Sequence, residues 1–110
     1  ILNDIQSVLI AYDTKSQIYN FEYLMNRGYT FNRDRGKCRC CGDFVTGETV
    51  NIHHVKPYLP LNEINKVANL ATVCKPCYYR IHNEKELTGI PLMVVKRIES
   101  FRKKLVKQIA

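Results

Sequence analysis

"LATVCKPCYYRIH", residues 70–82, carries three signals in one short run. Leu70 to Cys74 reads as a short extended segment, Cys74 and Cys77 stand at Cys-x-x-Cys spacing, and Pro76 suits the first turn of a helix. That helix is expected to run through Glu86 and to stop at Gly89. Tyr78 and His82, four apart, share one of its faces.

Upstream, "CRCCG" at 38–42 offers a second pair at the same spacing, Cys38 with Cys41. Four thiolates at Cys38, Cys41, Cys74 and Cys77 close a tetrahedral zinc site, which is structural because no position remains for water or substrate. Gly42, directly after the second cysteine, suits the tight turn of a zinc knuckle. The chain has five cysteines, and an odd count in doubled Cys-x-x-Cys pairs argues against a disulfide framework. Cys40 is the leftover; it can stand in for Cys41, although the matching gap favours Cys38 with Cys41, and it is assigned no role. A redox Cys-x-x-Cys protein is disfavoured because the usual βαβ setting is not visible.

Between the pairs lies "NIHHVKPYLP", residues 51–60. Thr49, Val50, Ile52 and Val55 alternate as a strand over 48–55, ended by Lys56 and Pro57. Adjacent strand residues point to opposite faces, so His53 and His54 cannot share one role. Residues 58–69 read as a loop with one short helical turn, carrying Asn69.

The flanks are helical. Leu2, Ile5, Val8, Leu9 and Tyr12 recur at helical spacing, and Ile18, Phe21, Leu24 and Met25 are expected to form the apolar face of a second helix stopped by Gly28. These stripes read as core or docking surface without chemistry. Pro91 opens a last helix with Val94, Val95, Ile98, Phe101, Leu105 and Ile109 on one side and Lys96, Arg97, Arg102, Lys103, Lys104 and Lys107 on the other. That basic side is either a solvated face or a phosphate-tracking surface.

The 110 residues make one domain, and 17 basic against 10 acidic groups give a net charge of +7, so a polyanion is the natural partner. No secretory segment or membrane-length apolar run occurs. Reduced thiols then suit an intracellular protein, cytoplasmic or nucleoid-associated, with neither a membrane nor a small-molecule substrate as partner. The first residue, Ile1, suggests a processed chain or a piece of something longer.

The order of "CRCCG", "IHHVKP", "ANLATVCKPC" and "RIH" across residues 34–86 resembles the HNH endonuclease family. Within it, the chain looks most like the nuclease domain that ends group II intron-encoded reverse transcriptases. The resemblance implies an α+β fold with a ββα-metal (His-Me finger) core and a four-cysteine zinc site, flanked by N- and C-terminal helices. Residues 1–33 would be a helical leader, the tail of a preceding DNA-binding region; 34–86 the core with its zinc knuckles; 87–110 a basic amphipathic helix.

By the same resemblance His54 would be the general base, Asn69 would orient its loop, and His53 and His82 would hold a catalytic divalent ion. Lys37, Arg39, Lys56, Lys75 and Arg80 would grip DNA. Zinc is the implied structural ion; the catalytic one would be manganese, magnesium, nickel or cobalt, with softer ions favoured by His at position 53, where many members carry Asp. The chain departs from the family at Tyr78, where a ligating His or Asn usually follows the last cysteine. The implied function is metal-dependent hydrolysis of DNA phosphodiesters by a domain of a mobile-element protein, with intron RNA as a further partner of the parent. The alternative is a zinc-stabilised DNA-binding module that has lost catalysis through Tyr78.

Overall fold

A two-stranded antiparallel sheet divides the molecule: β1 (Val50–His54) pairs with β2 (Leu70–Cys74), placing Val50 opposite Cys74 and His54 opposite Leu70. The computed structural model describes residues 18–107. The helix expected over Leu2–Tyr12, and Ile109, lie outside the described residues. Around the sheet stand α1 (Phe21–Arg33), α2 (Leu61–Ile64), a 3-10 turn (Val67–Asn69), α3 (Lys75–His82) and α4 (Leu92–Lys104).

Alternation sends Asn51, His53, Ala71 and Val73 to one face and Ile52, His54, Leu70 and Thr72 to the other. On the first face Val73 is buried with Cys77 and Ile81 of α3 and with Val94 and Ile98 of α4. Each such aliphatic side chain contributes about 1.5–3 kcal/mol by leaving water. The second face is covered by α1. Helix, sheet and helix pair form three layers in an α+β fold, and β1, β2 and α3 give the ββα unit. Among the described residues no helix is long and apolar enough to cross a membrane.

The face of α1 against the sheet is polar, which corrects the expectation of an apolar Ile18–Phe21–Leu24–Met25 stripe. Phe21 is 73 % exposed, and Leu24 and Met25 are exposed too. Tyr23 and Thr30 are buried instead. The sheet explains Tyr23, whose Oη donates to the Ile52 carbonyl at 2.8 Å; the Thr30 hydroxyl bonds within the helix, to the Asn26 carbonyl at 2.7 Å, while the Thr30 carbonyl accepts from Thr72 Oγ1 at 3.5 Å. Buried polar backbone selects polar partners over larger apolar ones.

Gly28 does not stop α1. The helix ends five residues later, at Arg33, where Arg35 and Gly36 take positive φ values of 57° and 67° and the Gly36 amide donates to the Phe31 carbonyl at 3.0 Å. A Cβ at Gly36 would sit 3.1 Å from Phe31 Cζ, so both the positive φ and the close phenyl ring favour glycine here. Arg33 and Asp34 then bind the sheet, Arg33 Nη2 donating to the Leu70 carbonyl at 2.6 Å and Asp34 Oδ2 accepting from the Thr72 amide at 3.0 Å.

Helix α3 is shorter than expected, ending at His82 rather than near Gly89. Asn83 Nδ2 donates to the Tyr79 carbonyl at 2.7 Å, and Arg102 of α4 donates to the carbonyls of Arg80 and Lys85 at 2.9 and 3.0 Å. The helix-end acceptors are thus taken by side chains. Arg102 is thereby withdrawn from the basic face of α4.

Candidate metal centre and active-site cleft

Cys38 and Cys41 are delivered by a tight turn whose Gly42 has φ 81° and donates its amide to the Cys38 carbonyl at 3.0 Å. Cys74 caps the N-terminus of α3, and Cys77 sits in its first turn. The four Sγ atoms lie within 4.8 Å of one another, with Cys41 and Cys74 at 3.8 Å. A tetrahedral zinc with Zn–S bonds of about 2.3 Å puts its sulfurs about 3.8 Å apart, so the donor set fits.

Electrostatics agree. The Cys38 thiol is pulled far down by hydrogen bonds from Cys40 and Cys77. Cys41 is pushed up to about 11, first by burial and then by the Cys38 thiolate. The Cys38 thiolate thus opposes ionisation of Cys41 beside it, and a divalent ion is what relieves that repulsion. Cys40 is fully buried beside Cys38 and Cys77 and packs towards α4.

His53 and His54 leave β1 in opposite directions. His53, 3 % exposed, turns to α3, where its Nδ1 lies 3.4 Å from Nε2 of His82. Two imidazoles on one tetrahedral ion at about 2.1 Å would stand about 3.4 Å apart. His53 Nε2 is buried without a partner, and burial first, with His82 and His54 second, lowers its pKa to about 4. Buried His53, neutral and with an unsatisfied nitrogen, beside the exposed imidazole of His82 has the chemistry of a pair of cation ligands. Tyr78 lies beside the pair, its ring 4.3 Å from that of His82.

His54, 8 % exposed, turns to α1 and stacks on Tyr23 at 4.9 Å between centroids, with Tyr19 edge-on at 5.6 Å. Its Nε2 is 2.7 Å from Oδ1 of Asn65. The Asn65 amide has one orientation, because its Nδ2 donates to the Ile18 carbonyl at 2.5 Å and to Asn20 Oδ1 at 3.1 Å. The atom facing His54 is therefore an acceptor, Nε2 must carry the proton, and Nδ1 keeps its lone pair. Burial lowers the His54 pKa against the smaller raising effect of the Asn65 bond, which favours a neutral ring.

Asn69 lies across the loop after β1. Its Oδ1 accepts from the Lys56 amide at 2.9 Å, and its Nδ2 donates to the carbonyls of Ile64 and Lys56 at 2.9 and 3.2 Å. It makes no hydrogen bond to His54 itself; the residue that does is Asn65, which the sequence does not single out. Both asparagines sit in "NKVAN", and only the second occupies a position that the family resemblance marks. Tyr19 and Tyr23 also join the site unannounced. Their one sequence signal is a spacing of four, which brings both to the same side where α1 begins.

A cleft of about 200 Å³ opens over His53, His54, Tyr78 and His82, with Tyr19 and Tyr23 along one wall. The five cations expected to grip DNA are not at this cleft. Lys37 and Arg39 lie at the free edge of β2, where the Arg39 amide donates to the Thr72 carbonyl at 2.8 Å. Lys56 and Lys75 are exposed elsewhere, and Arg80 is half-buried beside Cys77.

This arrangement of knuckle, hairpin and helix has a family counterpart. Residues 38–84 match the model of the HNH endonuclease family. Over those residues the chain is similar to the HNH family. No curated protein and no solved structure matches the chain. The HNH family is one of nucleases, so the match supports nuclease chemistry with DNA as the partner. The four-cysteine cluster can hold the zinc, and a divalent ion for catalysis is what such nucleases use.

Proposed function

We propose that the chain is a metal-dependent endonuclease that hydrolyses DNA phosphodiester bonds as a domain of a mobile-element protein. The observation that carries this reading is His54: a neutral imidazole, its Nε2–H committed to Asn65, with Nδ1 left as a base beside the His53–His82 pair. Water gives a proton to Nδ1 as its oxygen attacks phosphorus, and the ester oxygen leaves. A divalent ion bound by His53 and His82 would polarise the phosphate and stabilise that leaving oxygen. Asn65 and Tyr23 hold the base in orientation, and Asn69 fixes the loop that supplies Asn65. Reduced cysteines suit an intracellular, nucleoid-associated setting. The mobile-element context rests on the resemblance to intron-encoded nuclease domains.

Tyr78 favours a second reading, a catalytically silent DNA-binding module, because a neutral phenol is a poor ligand for a divalent ion. Nicking of supercoiled plasmid by wild type and by Tyr78→His, with manganese, magnesium or nickel, separates the two. The nuclease reading expects nicking by the wild type and faster nicking by Tyr78→His. Activity confined to Tyr78→His would establish the silent module.

A further inference from the structure

The cleft has a chemistry that does not attract its own substrate. Among the described residues, no lysine or arginine lines it; its walls are histidine, tyrosine, asparagine, isoleucine and proline. The positive charge gathers elsewhere. The cleft opens at β1 and the start of α1, whereas a depression runs between the zinc knuckle, residues 70–71 of β2 and the outer side of α4.

This depression continues through two neighbours. The first is lined by Lys37, Arg39, Arg97 and Lys104 over a volume of about 510 Å³. The next shares Lys104, Val55 and Ala68 with it and adds Lys56 and Lys66, and the third shares Lys56, Leu59 and Lys104 and adds Lys103 and Lys107. Together they gather eight cations against two carboxylates, Asp34 and Glu63, an excess of +6 in a chain whose whole net charge is +7. Asp34 is itself engaged, bonded to Arg33 and to the Thr72 amide. Leu59, Phe101 and Tyr58 give the trough an apolar floor between its charges.

We propose that this trough is a DNA docking surface separate from the cleft, and that it takes the phosphodiester backbone at a distance from the bond cut. A contiguous group of cations with few competing acids fits a polyanion, and displacement of condensed counterions supplies the affinity. Knuckle, loop and α4 form the trough, so the structural zinc serves DNA binding as well as folding. The proposal rests on the nuclease reading for its choice of DNA, and it separates grip from chemistry: the cleft cuts what the trough holds.

The test is affinity for a short DNA duplex as a function of salt, measured on the full zinc-loaded chain in the His54→Ala background so that nothing is cut. Arg97→Gln with Lys104→Gln, and independently Lys66→Gln with Lys107→Gln, should each weaken binding at least about tenfold at physiological salt. Each pair should lower the log–log salt slope by about two, near 0.9 per phosphate contact removed. Arg97 also donates to the Cys40 carbonyl at 3.1 Å, so the second pair decides the matter if the first disturbs the knuckle. Unchanged affinity and slope in the second pair overturn the proposal, and so does tight binding of an RNA duplex with none of DNA. Nicking by the wild type with unchanged slopes in the variants removes the docking surface and leaves the nuclease; salt-dependent docking without nicking does the reverse.

Discussion

The cysteine cluster and the histidine cleft are assembled in opposite ways. The four sulfurs come from two short turns, each holding its pair in place by local geometry, and they close on one another within 4.8 Å. The cleft draws on distant segments: His53 and His54 from β1, His82 from α3, Asn65 from the loop after α2, and Tyr19 and Tyr23 from the stretch where α1 begins. Local pairs suffice to fix a structural ion. Aiming a base needs long-range support, because each imidazole must be held in tautomer and direction by groups elsewhere in the chain.

Zinc removal has the largest expected effect. Binding of structural zinc contributes folding free energy of about 10 kcal/mol or more, so a chelator or Cys74→Ser should abolish the far-UV circular dichroism of the fold. The double variant His53→Ala with His82→Ala should keep both the zinc and the spectrum. Equal collapse of the two would erase the contrast between closed and open clusters.

Next comes the support of the base. Asn65→Ala leaves the His54 Nε2–H buried and unpaired, a cost of about 1–3 kcal/mol that predicts nicking some ten- to a hundredfold slower. Asn65→Asp keeps the acceptor and should recover part of the rate, while moving the acid limb to higher pH because a carboxylate favours imidazolium. A merely structural Asn65 would give the same pH profile in every variant.

In the wild type, burial holds the His54 pKa below the ordinary histidine value. The base works when neutral, so the rate is full above that pKa and falls as pH drops through it, with the acid limb below about 6.5. A limb above that value would mean that the ring is not buried as described. The smallest effect is at Gly28. It lies inside α1, and a Cβ added there would meet nothing within 4 Å, so Gly28→Ala should stabilise the fold by about 0.5–1 kcal/mol in a denaturant titration.

What was legible in the sequence was what repeats locally. The doubled Cys-x-x-Cys pairs, the β-branched run ending in His53 and His54, and Pro91 before α4 each announce their element within a few residues. The polar inner face of α1 was not legible: Tyr23 is buried because the Ile52 carbonyl needs a hydrogen-bond donor, a demand set some tens of residues away. Gly28 misled for the same reason. A helix docked on a sheet keeps an interior glycine, and the stop passed to Gly36, where the chain must turn with a positive φ. Asn65, unlike exposed Asn62, is buried and points at His54, which no spacing rule records. Of the five cations that the motifs suggest, Lys37, Arg39 and Lys56 line the trough while Lys75 and Arg80 do not, and Arg97 and Lys104 reach it from the far end of the chain.

The central claim is that His54 is the base of a DNA-cutting centre, and the most direct measurement is the single-turnover nicking rate of supercoiled plasmid by wild type and His54→Ala with a divalent ion present. The account predicts a wild-type rate reduced about a hundred- to ten-thousandfold in His54→Ala, with zinc content and circular dichroism unchanged. Nicking that persists in His54→Ala would contradict it.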